Sequence, residues 1–329
     1  MAALNFLPWQ SDAAVRTGEA HRIGRLGHAL LLAGPRGVGK RVFAEAFAAA
    51  LLCEQPAAFA ACGRCRSCVL FAAGSHPDWF TLQPEEDKRD IAIDAVRELG
   101  ERLSLSAQLR RAKVACIDPA DALNVNAVNA LLKTIEEPPQ GTYLLLLSSR
   151  PRALPATLRS RCQHLKFPVP ASAAAVTWLA QQHPDLDPGQ REAALRLAHG
   201  APFAAAEMIT GGLLQRYPIW HAALAELASG TCDPLQAATR IGKDDAVPFV
   251  RWLLAVLTDW LRVRVGGATP VPGLSAGITA AGPLAGINWL CQSSIDTLRS
   301  LERNANAQLA LEALLIGWRR VVVRRNEDA

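Results

Sequence analysis

No apolar run in this sequence reaches the roughly 18 uninterrupted residues from which a membrane-spanning helix is read. The longest candidate, Phe249 to Val265, is broken by Arg251, Asp259, Arg262 and Arg264. The opening MAALNFLPWQSD lacks a basic region followed by a long apolar one, so a secretory leader is not expected and a soluble, cytoplasmic protein is. Aromatic residues are scarce at 6%, and no stretch interleaves them with basic residues as a stacking groove for single strands requires. Excess charge is small: 35 basic against 30 acidic side chains give a formal +5, which permits contact with nucleic acid without demanding it. There is no internal repeat and no low-complexity tract. What is present is a chain of 329 residues, half of them hydrophobic and a fifth charged, enough for two or three globular domains.

The first half alternates strand and helix signals. Short apolar runs at 29–33, 113–117 and 143–147 read as buried parallel strands, and 79–82 as a further strand. Between them, 40–52, 94–103 and 125–137 read as helices. In the last of these, Val128, Leu131, Leu132 and Ile135 follow the 3.6-residue period, and Pro138 and Pro139 end it. This alternation predicts a parallel α/β sheet with helices on both faces. Beyond Phe167 strand signals fade and alanine- and leucine-rich helices dominate, interrupted by a Gly/Pro-rich stretch at 266–286.

Gly34-Pro-Arg-Gly-Val-Gly39-Lys40 lies between a strand and a helix and matches the phosphate loop G-x-x-x-x-G-K, with Gly37 inside it. Glycines let backbone N–H groups converge on phosphate oxygens, and the lysine reaches the terminal phosphates. The next position, normally a Ser or Thr whose hydroxyl holds Mg²⁺, is Arg41. A guanidinium has no acceptor and cannot ligate a cation. The strand at 113–117 ends in Asp118, where such ATPases place a magnesium-contacting acid, but Pro119 follows and cannot serve as a base; Asp121 is three residues beyond Asp118. ATP binding is therefore expected to be weak or absent, with negligible hydrolysis. The plainer alternatives are a glycine turn without ligand and Asp118 as a turn cap.

Cys53, Cys62, Cys65 and Cys68 stand within one short segment. In a chain without an export signal this clustering points to metal or redox chemistry rather than a disulfide framework. Four thiolates make a closed tetrahedral zinc site, structural because no position is left open. The alternatives are four reduced thiols or a redox disulfide pair. Cys116, Cys162, Cys232 and Cys291 are read as small buried hydrophobes, and His76 as a turn residue rather than a ligand.

The segment Asn129-Ala-Leu-Leu-Lys-Thr-Ile-Glu-Glu-Pro-Pro139, followed by a strand and Leu158-Arg-Ser-Arg-Cys162, resembles the bacterial clamp-loader ATPases of the AAA+ class. The cysteine module combined with the broken ATP motifs is similar to the delta-prime branch of that family. The resemblance is strong to about residue 207. It implies an AAA+ P-loop α/β domain over 1–167 carrying a zinc module at 53–68, a small helical lid domain over 168–207 and an all-α collar over 208–329. It implies that Arg161 is an arginine finger, acting in trans on ATP held by a neighbour; the alternative is a surface arginine paired with a carboxylate. Ser148 and Ser149 fall where the family's sensor residue stands, and His199-Gly-Ala-Pro-Phe203 falls where active relatives carry a sensor arginine that this sequence lacks. The implied partners are gamma/tau and delta subunits in a heteropentamer within the DNA polymerase III holoenzyme, and through it the sliding clamp and primed DNA. The rival readings are an active gamma/tau-like ATPase and a zinc nucleic-acid-binding module. In the C-terminal half, Trp178, Trp220, Trp252, Trp260, Trp289 and Trp318 are expected in cores, and in the first half Arg110, Arg111 and Lys113 at a solvated strand entry or on DNA phosphates.

Overall fold

The computed structural model describes residues 5–86, 88–109, 112–266 and 284–323. The chain divides into two compact units, Met1–Ala174 and Ala175–Ala329. The first is built on five parallel strands: β1 (Ala29–Ala33), β2 (Trp79–Leu82), β3 (Lys113–Ile117), β4 (Thr142–Ser148) and β5 (Gln163–Lys166), in the spatial order β2-β3-β4-β1-β5. Leu30, Leu31 and Leu32 are buried, as are Leu145, Leu146 and Leu147 opposite them, because both faces of the central strands are covered. An apolar run without alternation is the consequence of that burial. Strand β5 was not legible in the sequence. Its residues Gln163, His164, Leu165 and Lys166 are partly or fully exposed at the sheet edge, so no apolar pattern marks them.

Helices fill the connections: α1 (Ser11–Arg22), α2 (Lys40–Leu52), α3 (Arg66–Ala72), α4 (Ile93–Ser104), α5 (Val125–Glu136) and the short α6 (Ala156–Arg159). Both α1 and α3 are additions to the sequence reading. Helix α3 lies inside what reads as a cysteine-rich loop and is started by Cys65, whose sulfur accepts from Cys68 N–H. Helix α5 is capped by Asn124, whose side-chain oxygen accepts from Ala127 N–H at 2.9 Å, and Ala127, Val128, Leu131 and Ile135 are its buried face. That face shares a core with Leu158 and Cys162 from the segment around α6.

The second unit is helical. Helices α7 (Ser172–Gln182, which begins in the first unit), α8 (Pro188–Leu197) and α9 (Pro202–Thr210) enclose a small core of Ala175, Leu179, Ala194, Leu195, Ala198 and Ala205. Helices α10 (Leu213–Ser229), α11 (Pro234–Ile241), α12 (Ala246–Arg264), α13 (Leu284–Glu302) and α14 (Ala307–Val323) enclose a larger one. Residues 267–283 of the Gly/Pro-rich stretch lie outside the described residues, and α13 begins within that stretch, at Leu284. Trp220, Trp252, Trp260 and Trp318 are core residues as expected. Trp178 is half-buried against Phe203. Trp289 corrects the expectation: it is 50% exposed and lies over Gly317, where an added Cβ would meet its ring at 2.5 Å. Among the described residues, no helix is long and apolar enough to cross a membrane.

Candidate functional site

The loop from Gly34 to Gly39 joins β1 to α2. Gly34 passes so close to the Phe167 carbonyl that a Cβ would stand 2.0 Å from its oxygen, and Gly39 takes φ 90°, a conformation glycine adopts without strain. Gly37 likewise has a left-handed φ of 79°. Lys40 is almost fully buried. Its Nζ does not reach outward; it donates to the carbonyls of Gly34 (2.6 Å) and Pro35 (2.7 Å) and to Ser149 Oγ (3.2 Å). Burial lowers its pKa to about 8, against the opposing pull of Asp118 and Asp121.

Arg41 stands where a hydroxyl would hold Mg²⁺, and it closes the gap to the metal-contacting acid. Its Nε donates to Asp118 Oδ2 at 2.7 Å, and Nη2 lies 2.7 Å from the same oxygen. With its amide turned so that both groups are satisfied, Gln83 at the end of β2 also accepts from both terminal nitrogens of Arg41, at 3.2 Å. The space between loop and Asp118 is thus bridged by a fixed organic cation. Asp121 is engaged elsewhere: it accepts from Ser148 Oγ at 2.5 Å and from the backbone N–H groups of Ser149 and Arg150 at 2.8 and 3.2 Å. Two residues that sequence reasoning missed complete the cleft. Trp9 Nε1 donates to the Val38 carbonyl at 3.1 Å, and Gln10 Nε2 to the Gly39 carbonyl at 2.8 Å. Nothing in MAALNFLPWQSD announces a contact 29 residues ahead, although a fully buried glutamine is the kind of residue that must have a partner.

Arg161 stands just past α6. Its Nε is 2.6 Å from Glu136 Oε1, and Nη1 donates to the Thr157 carbonyl at 3.1 Å. The Arg161 side chain remains 42% exposed. The carboxylate it pairs with belongs to the same motif, Asn129 to Pro139, that carries the family resemblance.

The four clustered cysteines converge. Their sulfurs lie within 4.8 Å of one another, with Cys53–Cys65 at 4.0 Å and Cys62–Cys68 at 3.9 Å. A disulfide needs about 2.05 Å. A tetrahedron of thiolates 2.3 Å from zinc has edges of about 3.8 Å, so the donor set and spacing fit that ion. Backbone N–H groups already point at the sulfurs: Gln55 and Cys62 donate to Cys53, Cys65 to Cys62, and Cys68 to Cys65. The N–H groups of Arg64 and Cys65 hold the Cys62 thiol down at about 6, while burial pushes Cys53 and Cys68 up. His76 is buried outside the cluster; Asp78 N–H donates to its Nδ1 (3.1 Å), so its Nε2 carries the proton and donates to Ser67 Oγ (2.9 Å). It ties α3 to the start of β2 and is no ligand.

Lys113 is buried, with its Nζ donating to the carbonyls of Leu103 and Leu105, so it faces no DNA; Arg110 and Arg111 lie outside the described residues. Cys116, Cys162 and Cys291 are buried, but Cys232 is only partly so.

A family model described as DNA polymerase III, delta subunit, matches residues 9–171. The chain is 38% identical over 327 residues to the DNA polymerase III subunit delta-prime of Pseudomonas aeruginosa, covering 94% of this chain and 96% of that protein. It is 38% identical over 278 residues to the delta-prime subunit of Escherichia coli K12, covering 83% and 82%. Over 152 residues it is 34% identical to DNA polymerase III subunit tau of Bacillus subtilis, covering 46% of this chain and 26% of that one. Similarity that runs at 38% through nearly the whole of a delta-prime subunit takes in the helical half as well as the sheet, so the chain belongs to the delta-prime subunits of DNA polymerase III.

Proposed function

We propose that this chain is a ring member of the clamp loader that does not hydrolyse ATP itself and that lends Arg161 to the ATP site of a neighbouring subunit. The observation that carries the first half is the Arg41–Asp118 pair: the place of the metal is taken by a guanidinium. Without a bound divalent ion, nothing bridges the β- and γ-phosphates, and Pro119 offers no base to activate water. Lys40, turned onto its own loop's carbonyls, must give up those contacts to reach a phosphate. In the second half, a fixed positive charge on Arg161 stabilises the equatorial oxygens of the phosphoryl group as it leaves its nucleotide. Residues 1–167 form the AAA+ domain, 168–207 the lid and 208–329 the collar through which the ring is held together. Cys53, Cys62, Cys65 and Cys68 hold a structural zinc ion, and the complex works on the sliding clamp and primed DNA in the cytoplasm.

The test is DNA-stimulated ATP hydrolysis by a clamp loader reconstituted from this chain with gamma/tau and delta subunits. Arg161→Ala is expected to lower turnover at least tenfold in an assembled complex, since arginine fingers contribute about 10³ to 10⁵ in well-understood cases. Unchanged turnover in an intact complex refutes the finger. Sustained hydrolysis by the isolated chain, at the rate of a working motor, refutes the inactive cleft.

A further inference from the structure

We propose that Glu136 is a positioning residue for Arg161: its carboxylate orients the guanidinium toward the neighbour's ATP before the subunits meet. The inference rests on the trans-finger reading above. Arg161 is held from two elements. Glu136, the last residue of α5, takes Nε at 2.6 Å, and Thr157, in α6, takes Nη1 through its carbonyl at 3.1 Å. Two nitrogens of one planar group, fixed by two separate elements, leave that plane little freedom. Both anchors are rigid. Ile135, beside Glu136, is buried, and its carbonyl lies 2.6 Å from His28 Nε2 at the foot of β1. Leu158 and Cys162, on either side of Arg161, are buried in the same core as Ile135. The ion pair itself is half-exposed, 42% on the arginine and 48% on the glutamate, and an exposed pair contributes little to folding. A rigidly mounted contact with little value for stability is placed to set geometry. A flexible arginine must otherwise be ordered at the moment of reaction, which lowers the rate rather than the affinity for nucleotide.

The test compares wild type, Glu136→Ala, Glu136→Gln, Arg161→Ala and the Glu136→Ala/Arg161→Ala double variant in the reconstituted clamp loader, reading kcat and KM for ATP, thermal midpoint and complex assembly. Glu136→Ala is expected to lower kcat about tenfold at unchanged KM, a fraction of what an ångström of misplacement can cost. Glu136→Gln keeps an oxygen for Nε and should recover most of that loss. In the Arg161→Ala background, removing Glu136 should change nothing further. If Arg161→Ala collapses kcat while Glu136→Ala matches wild type, the positioning role fails and the finger stands. If Arg161→Ala is itself without effect, the finger reading fails and this inference goes with it. A Glu136→Ala defect that persists without Arg161, or a kcat above wild type, overturns the positioning role outright. Should Glu136→Ala not assemble, Glu136→Asp, one methylene short of Nε, carries the same expectation.

Discussion

Replacing Arg41 by Thr restores the hydroxyl that a magnesium site needs and deletes the guanidinium that stands in for the ion. The pair it breaks has contacts of 2.7 Å, with 50% of the Arg41 side chain and 21% of Asp118 exposed. Charges about 4 Å apart attract by about 1 kcal/mol in water and about 4 kcal/mol at an effective dielectric near 20. Half-exposure discounts the value toward the lower end, so the coupling between Arg41 and Asp118 should be about 1 kcal/mol. A double-mutant cycle measures it directly: urea unfolding of wild type, Arg41→Thr, Asp118→Asn and the double variant. The double variant should be less destabilised than the sum of the singles by that amount, and the difference should shrink at high salt. Added Mg-ATP should raise the unfolding midpoint of Arg41→Thr more than that of wild type, because ligand binding only to the folded state stabilises it by mass action. Hydrolysis should not return with it, since Pro119 still occupies the position of the base. Strict additivity in the cycle, with no coupling, refutes the claim that the guanidinium takes the metal's place.

Pure chain should carry one tightly held zinc per molecule, lost in Cys62→Ser and Cys65→Ser; metal analysis giving well under one equivalent overturns the Cys₄ reading. Lys40 has a folded pKa near 8 against an ordinary 10.5, so between those values the unfolded chain binds more protons and stability contributed by this group rises with pH. That rise should be missing in Lys40→Met; an identical pH profile in the two proteins removes burial as the governing influence on the lysine. Glu136→Ala and Arg161→Ala should each leave the thermal midpoint of the free chain nearly unchanged, because their pair is half-exposed; a loss of many degrees marks the contact as part of the fold's support instead.

The strands legible in the sequence are the three buried on both faces and the edge strand β2, Trp79–Leu82, set off by the turn before it. Ala29–Ala33, Lys113–Ile117 and Thr142–Ser148 are apolar runs because the sheet's centre admits nothing else. Gln163–Lys166 escaped notice because its residues are mostly polar and exposed, and what holds it is backbone hydrogen bonding to β1, which no side-chain pattern records. That Arg41 follows the loop lysine and Pro119 follows Asp118 was readable one residue at a time, since each is a matter of chemical type at a given spacing. The cysteine spacing likewise announces a four-thiol cluster.

What tertiary structure alone decided is which of these groups meet. Arg41 and Asp118 are 77 residues apart, and only the adjacency of α2 and β3 turns two separate oddities into one ion pair. Lys40 could have pointed outward; the loop carbonyls of Gly34 and Pro35 gave it nearer acceptors. Trp9 and Gln10 reach the phosphate loop, and Glu136 reaches Arg161, for the same reason. A polar side chain's type is written in the sequence, but its partner is set by where the packed core brings two distant segments together.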